Sequence, residues 1–270
     1  MVVLVLLLSV CSMTVAARPK VGLVLGGGGA KGAATIGALK VIEEAGVKVD
    51  YIAGTSIGAV IGGLYAAGVS PSHLEQLFLS QEWRTILSSR GMQQQFEDLL
   101  SQHGCSRFSE TRIPFRCVAV DYDTMGEVVL SSGSLPRAML ASMSIPIVYE
   151  PVMWHGRRLV DGGLINNLPV DVVRAMGADI VIAVDLQQGR DVEFGFSLRD
   201  LIGLGGLVDW FFRRPDISRY RTNKDDVDIY IHPDLKGYNV ASFERYRCEI
   251  MMQRGYDEAK ELWNELIRLT

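Results

Sequence analysis

A short apolar segment that ends in four consecutive glycines constrains the fold more than any other feature of the chain. Val21–Leu25 is rich in branched side chains, and glycines occupy positions 26–29 directly after it. Apolar residues then recur at helical spacing from 31 to 45, and Gly46 ends the pattern. The sequence therefore predicts a buried strand, a tight glycine loop and a helix, the unit from which α/β folds are built.

Similar units follow along the rest of the chain. Strands are predicted at 49–53, 113–121, 127–130, 158–160 and 179–186. Helices are predicted at 57–67, 134–143 and 169–176. Two further helices are predicted, one that begins at 70 and one after 241. Because strands alternate with helices, we predict an α/β fold with a mostly parallel central sheet and helices on both faces. The length suits one large domain over 18–270.

Two segments stand outside this regular pattern. Residues 91–112 are polar without a clear period, and we predict an irregular insertion or lid there. Residues 198–214 are unusually apolar and include Trp210, with Arg213 and Arg214 at their end. The pattern favours a core helix, and a membrane-facing surface helix is the alternative, because apolar side chains beside basic ones suit an interface.

The first seventeen residues differ in composition from the rest. MVVLVLLLSV is continuously apolar, and small residues at 15–17 offer a cleavage site. We predict a signal peptide over 1–17, and hence export to the cell envelope, the periplasm or the medium; a buried first strand is the alternative.

The chain has four cysteines, and Cys11 is lost if the signal peptide is cleaved. The three that remain are an odd number without the spacing of a disulfide framework, so we expect unpaired buried thiols rather than metal ligands.

A serine stands between the second predicted strand and its helix, in Gly54-Thr55-Ser56-Ile57-Gly58. This is the context of a nucleophile elbow, in which a strained turn presents the serine oxygen at the end of a strand. The glycines two residues either side remove side chains that would collide. The following helix begins at the serine, and its dipole favours negative charge there. The motif is short, so on these residues alone a chance occurrence is equally favoured.

The first glycine loop, residues 27–32, permits more than one function. It satisfies G-x-G-x-x-G after a strand, and Asp50 lies near the position of a ribose-binding acid, which indicates a dinucleotide site. It is not a P-loop, since Lys31 is followed by Gly32. The bare amides of Gly27, Gly28 and Gly29 would equally bind an oxyanion. An acyl hydrolase needs such a loop beside a serine turn, so the pair of motifs favours hydrolysis.

A nucleophilic serine needs a base. No histidine of the chain has a persuasive setting; the four are His73, His103, His155 and His232. Asp161 ends a short predicted strand and is followed by Gly162 and Gly163, which leave the backbone around its carboxylate open. A lone D-G-G is also typical of an ordinary turn, and spacing alone favours that interpretation.

Together, the three motifs resemble those of the patatin-like phospholipase family, in the order G-G-G-x-[KR]-G, G-x-S-x-G and D-G-[AG]. The resemblance extends from about Pro19 to Tyr256 and includes segments 141–146 and 166–169. It implies a three-layer α/β/α fold and a Ser56–Asp161 dyad without histidine. It also implies an oxyanion hole at glycines 27–29 and hydrolysis of lipid acyl esters without metal or cofactor. Three roles are open for Lys31: it adds positive charge to the loop, it binds a lipid headgroup, or it supports the local structure. Thr35 replaces a histidine common in the family, with no expected effect on the dyad.

The resemblance and the composition together narrow the function classes. A net charge of -4, with charged residues spread along the chain, gives no indication of a nucleic-acid binder, which usually has a basic domain or stripe. The expected partner is a lipid or membrane-surface substrate of phospholipase A or lysophospholipase type, and a homo-oligomer is left open. Two other classes remain as alternatives: a nicotinamide-dependent oxidoreductase that uses the glycine loop, and a catalytically silent lipid-binding module.

Overall fold

An eight-stranded mixed sheet forms the centre of the described protein. The computed structural model describes residues 18–80, 83, 91–146, 148–188 and 217–270. The strands are β1 Val21–Leu25, β2 Val49–Thr55, β3 Phe115–Asp121, β4 Glu127–Leu130, β5 Val152–Trp154, β6 Arg157–Asp161, β7 Ile180–Val184 and β8 Ile229–Ile231. Hydrogen-bonded neighbours follow one another in the order β5-β6-β3-β2-β1-β7-β8, and β4 also pairs with β3.

Helices cover both faces of this sheet. They are α1 Gly32–Glu44, α2 Ile57–Ala67, α3 Pro71–Leu79, α4 Met92–Ser101, α5 Leu135–Ser142, α6 Val170–Arg174, α7 Ile217–Asp225, α8 Arg245–Glu261 and α9 Trp263–Leu266. Leu23 and Leu25 of β1 belong to the core that also holds the buried residues of α1 to α5 and α8. Val24 faces the other core, beneath α6 and α7. The predicted α/β fold with two covered faces is therefore confirmed.

The sheet changes direction at β3. Strands β3, β2, β1, β7 and β8 are parallel, whereas β4 and β6 pair with β3 in the antiparallel sense. β2 and β4 both pair with Val118 of β3, so they lie on opposite edges of that strand. β4 and β6 both pair with Ala119, so they also lie on opposite edges. β2 and β6 therefore share one edge of β3. Since β2 and β6 run in opposite directions, their carboxyl ends, Thr55 and Asp161, face each other along that edge.

The structure corrects two details of the sequence analysis. The expectation of irregular chain over 91–112 is wrong, because α4 occupies Met92–Ser101 and buries Met92, Phe96, Leu99 and Leu100. These residues are spaced one turn apart, and the polar residues between them hid the period. The second detail is β5, a three-residue strand that pairs with β6 and was not predicted.

The remaining predictions concern the cysteines and two apolar segments, and the structure describes only some of these residues. Cys105 and Cys117 are free and buried, as expected, and Cys248 is also buried. The predicted signal peptide and the apolar segment 198–214 lie outside the described residues. Within the described part of the chain, no helix combines the length and the apolar character needed to cross a membrane.

Helices α1 and α8 pack with their backbones in close contact. A Cβ atom on Gly37 would lie 1.9 Å from the carbonyl oxygen of Met252, and one on Gly255 would lie 1.9 Å from that of Ala34. Glycine inside a helix costs about 1 kcal/mol relative to alanine. The close approach of the two helices, which hold the glycine loop on one side of the sheet, requires it here.

We predict that Gly37→Ala lowers the free energy of unfolding by about 1–3 kcal/mol, since a backbone carbonyl cannot move aside as a side chain can. Urea unfolding followed by circular dichroism measures the change. Gly126→Ala is the control, because apart from its chain neighbours only the Thr124 hydroxyl, at 3.2 Å, lies near its Cβ among the described residues. Equal midpoints for Gly37→Ala and the wild type would contradict the packing argument.

Candidate active site

Ser56 occupies a strained turn between β2 and α2. Its backbone angles are φ 56° and ψ −126°, a conformation that costs a non-glycine residue about 1–3 kcal/mol. The flanking glycines make the turn sterically feasible. A Cβ on Gly54 would lie 2.5 Å from the carbonyl oxygen of Gly58, and a Cβ on Gly58 would lie 2.1 Å from that of Leu25. The serine side chain therefore stands at the first turn of a helix, over the carboxyl end of the sheet.

The head-to-head arrangement of β2 and β6 brings Ser56 and Asp161 together. Ser56 Oγ donates a hydrogen bond of 2.7 Å to Asp161 Oδ2. Both residues are buried, with 3% and 0% of their surface exposed. A second hydrogen bond holds the carboxylate, since Gly163 N donates to Asp161 Oδ1 at 2.7 Å. A Cβ on Gly162 would lie 2.2 Å from the carbonyl oxygen of Val118, so the D-G-G turn packs directly on β3.

Burial decides the charge state of Asp161. Removal from water raises the pKa of its carboxyl group from 3.8 to about 7, although the hydrogen bonds from Gly163 and Ser56 act in the opposite direction. The desolvation effect is larger because the carboxyl group is fully buried and forms no ion pair within the described part of the chain. Asp161 is thus half ionised near neutral pH, in contact with a serine hydroxyl.

The glycine loop lies against the serine turn. A Cβ on Gly27 would lie 3.0 Å from Ser56 Cβ and 2.3 Å from Asn167 Oδ1. Gly27 N donates to the Asn167 carbonyl oxygen at 3.3 Å. The N–H groups of Gly28 and Gly29 have no acceptor among the described residues, so they remain available to an oxygen of a bound molecule. Gly29 also adopts φ +58°, where a Cβ would meet Val240.

The residues at the start of α1 are buried beside this loop. Lys31 is 9% exposed, and its N–H donates to the carbonyl oxygen of Gly28 at 3.2 Å. Gly32 allows α1 to approach α2, because its Cβ would lie 2.7 Å from Ile57. Thr35 is fully buried, and its hydroxyl has no hydrogen-bond partner in the described part of the chain.

A partly buried polar network supports the site from the α6 and α7 side. Thr55 Oγ1 donates to the Asn166 carbonyl oxygen at 2.8 Å, and Asn166 Nδ2 donates to Glu127 and Asp171. Arg219 of α7 forms ion pairs with the same two carboxylates. Sequence reasoning missed Arg219, since it lies 92 residues from Glu127 and no local pattern marks it.

Other candidates from the sequence lie away from the dyad. His73 and His103 contact each other, with ring centroids 5.8 Å apart, and none of the four histidines hydrogen-bonds Ser56 or Asp161. Asp50 lies at the amino end of β2, opposite the glycine loop, and pairs with Arg18 at 2.8 Å. It therefore does not stand where a ribose-binding acid would. Across the described residues, no cluster of three metal-ligating side chains occurs.

Comparison with known proteins identifies the family. The sequence model of the patatin-like phospholipase family matches residues 23–116 and 106–174. The chain belongs to this family. It is 30% identical to lysophospholipase nte1 of Aspergillus fumigatus over 91% of its own length, which is 18% of that protein. Human patatin-like phospholipase domain-containing protein 6 is 37% identical over 62% of this chain and 13% of its own length. The chain thus spans less than a fifth of these relatives.

Solved structures agree on the fold. VipD from Legionella pneumophila superposes with a TM-score of 0.54 at 13% identity, over 92% of this chain and 67% of that one. The type III effector protein ExoU gives a TM-score of 0.52 at 12% identity, over 93% of this chain and 54% of that one. At these identities the similarity concerns the fold alone.

We predict that Asp161→Asn stabilises the protein at pH 8. A carboxyl group with a raised folded-state pKa favours folding below pH 3.8 and loses that contribution as the pH rises through about 7. Asparagine keeps the shape without the buried charge. The expected gain in unfolding free energy is about 1–4 kcal/mol at pH 8 and near zero at pH 4.

Urea titrations at the two pH values measure this difference. Asp50→Asn is the opposite control: burial acts to raise the pKa of Asp50, but hydrogen bonds from Arg18 and Val21 hold it below the usual value. Its loss should therefore destabilise the protein at pH 8. A destabilised Asp161→Asn variant at pH 8 would show that the buried carboxylate is not a cost to folding.

Proposed function

We propose that the chain is a serine acyl hydrolase that cleaves carboxylic ester bonds of lipids, with Ser56 as nucleophile and Asp161 as base. The observation that carries the proposal is the buried 2.7 Å hydrogen bond from the Ser56 hydroxyl to a carboxylate whose pKa is raised to about 7. A general base is most effective when its pKa lies near the working pH. An ordinary aspartate would be too weak a base for a serine hydroxyl.

In the first half of the reaction, Ser56 Oγ attacks the ester carbonyl carbon while its proton passes to Asp161 Oδ2. The carbonyl oxygen becomes an oxyanion, which the N–H groups of Gly28 and Gly29 stabilise. Their lack of another acceptor supports this role, whereas the N–H of Gly27 already bonds to Asn167. Gly27 supplies room beside Ser56 instead. Each such donor is worth about a hundred- to a thousandfold in rate.

The tetrahedral intermediate then collapses, and the alcohol leaves with the proton from Asp161. This leaves an acyl group on Ser56 and an ionised carboxylate. In the second half, water attacks the acyl carbonyl and gives a proton to Asp161, which returns it to Ser56 Oγ as the fatty acid departs. The same carboxylate acts as base and acid in both halves, so no histidine is required.

The substrate proposed is a phospholipid or lysophospholipid at a membrane surface. The names of the relatives, lysophospholipase and patatin-like phospholipase, support this class. Two exposed apolar side chains, Tyr122 and Met125, follow β3 at the carboxyl edge of the sheet, where Ser56 also lies.

Export directed by a signal peptide at residues 1–17 would bring the enzyme to envelope lipids. The position of Asp50 disfavours the oxidoreductase alternative.

Labelling by a fluorophosphonate probe should occur on Ser56 alone. The wild type is expected to react, Ser56→Ala to give no adduct, and Asp161→Asn to react at least a hundredfold more slowly, since general-base assistance is worth about 10²–10⁴ in rate. Intact-mass spectrometry measures the adduct. A silent lipid-binding module would bind liposomes and leave every variant unlabelled, and an equally labelled Ser56→Ala would refute the nucleophile.

The pH dependence of kcat/KM for a short-chain ester should report the base. Only ionised Asp161 accepts the serine proton, so the rate should fall tenfold per pH unit below an apparent pKa of about 7. The measurement is an initial-rate series from pH 4 to 9 with a stability check at each pH. A rate that stays constant down to pH 5 would mean that no buried carboxylate of raised pKa takes part.

A further inference from the structure

The backbone N–H of Ser56 has an acceptor of its own, the hydroxyl of Ser142. Ser142 is the last residue of α5 and is fully buried. Its Oγ accepts a 3.0 Å hydrogen bond from Ser56 N and donates a 2.6 Å hydrogen bond to the carbonyl oxygen of Val118. An N–H can only donate and a carbonyl can only accept, so the direction of both bonds is fixed.

The hydroxyl stands where the next ladder bond between β2 and β3 would form. Ile52 N donates to the carbonyl oxygen of Pro114 at 3.0 Å, and Ile52 is paired with Phe115. In a parallel ladder, every second residue donates to the same neighbour, so Ser56 N would donate to Val118 O. The turn at Ser56 carries the N–H away from β3, and the Ser142 oxygen bridges the gap.

The same turn of chain also reaches the carboxylate side of the site. Asp161 N donates to the carbonyl oxygen of Ser144 at 2.9 Å. Ser144 Oγ in turn donates to Leu140 O at 2.7 Å, which closes the end of α5. The end of α5 therefore contacts both halves of the proposed dyad at the point where β2 leaves β3 and β6 joins it.

We propose that Ser142 is a positioning residue of the hydrolase: its hydroxyl replaces the interrupted ladder bond and so aims Ser56 Oγ at Asp161. The inference rests on the proposed function of that pair. Without the hydroxyl, Ser56 N and Val118 O would both be buried without a partner, and the strained turn would relax. A displacement of about 1 Å at a reacting atom can cost about a hundredfold in rate.

Three substitutions separate hydrogen bonding from space filling. Ser142→Ala removes the hydroxyl, Ser142→Cys fills the same space with a weak acceptor, and Ser142→Thr keeps the hydroxyl. We expect kcat to fall about 10- to 100-fold in the alanine and cysteine variants, with KM within twofold of the wild type, and threonine to restore part of the loss. Ester turnover and the rate of fluorophosphonate labelling measure these effects.

The matched control is Ser134→Ala, at the opposite end of the same helix. Ser134 Oγ accepts from Arg137 N at 3.4 Å, so this variant also loses a hydroxyl bonded to a backbone N–H. It should lower the urea midpoint and leave the pH profile unchanged. In Ser142→Ala, by contrast, the apparent pKa of the acid limb should rise, because the hydrogen bond from Ser56 that stabilises ionised Asp161 is weakened.

The inference is overturned if Ser142→Ala keeps its kcat within twofold of the wild type, or if Ser142→Cys equals the wild type, which would leave only a packing role. Hydrogen exchange of the peptide that contains Ser56 gives a readout independent of turnover. It should accelerate in Ser142→Ala and not in Ser134→Ala. If the wild type shows no labelling at all, the proposed function fails, and the exchange result alone decides whether Ser142 holds the turn.

Discussion

The hydrogen bond between Ser56 and Asp161 is the interaction around which the rest of the structure is arranged. It forms because β2 and β6 meet end to end along one edge of β3, one parallel and the other antiparallel to it. A wholly parallel sheet would have placed the two residues on neighbouring loops at the same edge. The reversal instead places them in direct contact inside the protein, where both residues are buried.

Such a site is costly to the fold. Ser56 adopts a conformation that side chains rarely tolerate, and the Asp161 carboxylate forms no ion pair with the residues that the structure describes. The surrounding chain fixes both by close contact: Gly58 packs on β1, Gly162 packs on β3, and the end of α5 bonds to both residues. A strained backbone conformation persists only where the contacts around it fix it in place. The glycines of the motifs are thus a condition of this arrangement, since any Cβ would separate the layers.

Local patterns predicted the elements, and the limits of the prediction are physical. β1, α1 and α2 follow from apolar periodicity and glycine stops. The polar residues within α4 concealed its period, and β5 is too short to form a pattern. Asp161 was one candidate base on its D-G-G turn, but only the family resemblance paired it with Ser56, because a residue 105 positions away leaves no trace in spacing. Ser142 lay in a segment recognised by resemblance, yet its role depends on a ladder bond that only the register of β2 and β3 reveals.

The same burial has opposite effects on stability and on the proposed chemistry. Desolvation raises the pKa of Asp161, which weakens the folded state above neutral pH and at the same time makes the carboxylate a competent base. A histidine would provide that basicity without burial, because its ordinary pKa already lies near neutrality. A Ser–Asp pair instead depends on exclusion of water by the packed layers. It follows that α5, the D-G-G turn and the glycine loop would act on the proposed reaction through the enclosure they form, as much as through any single hydrogen bond.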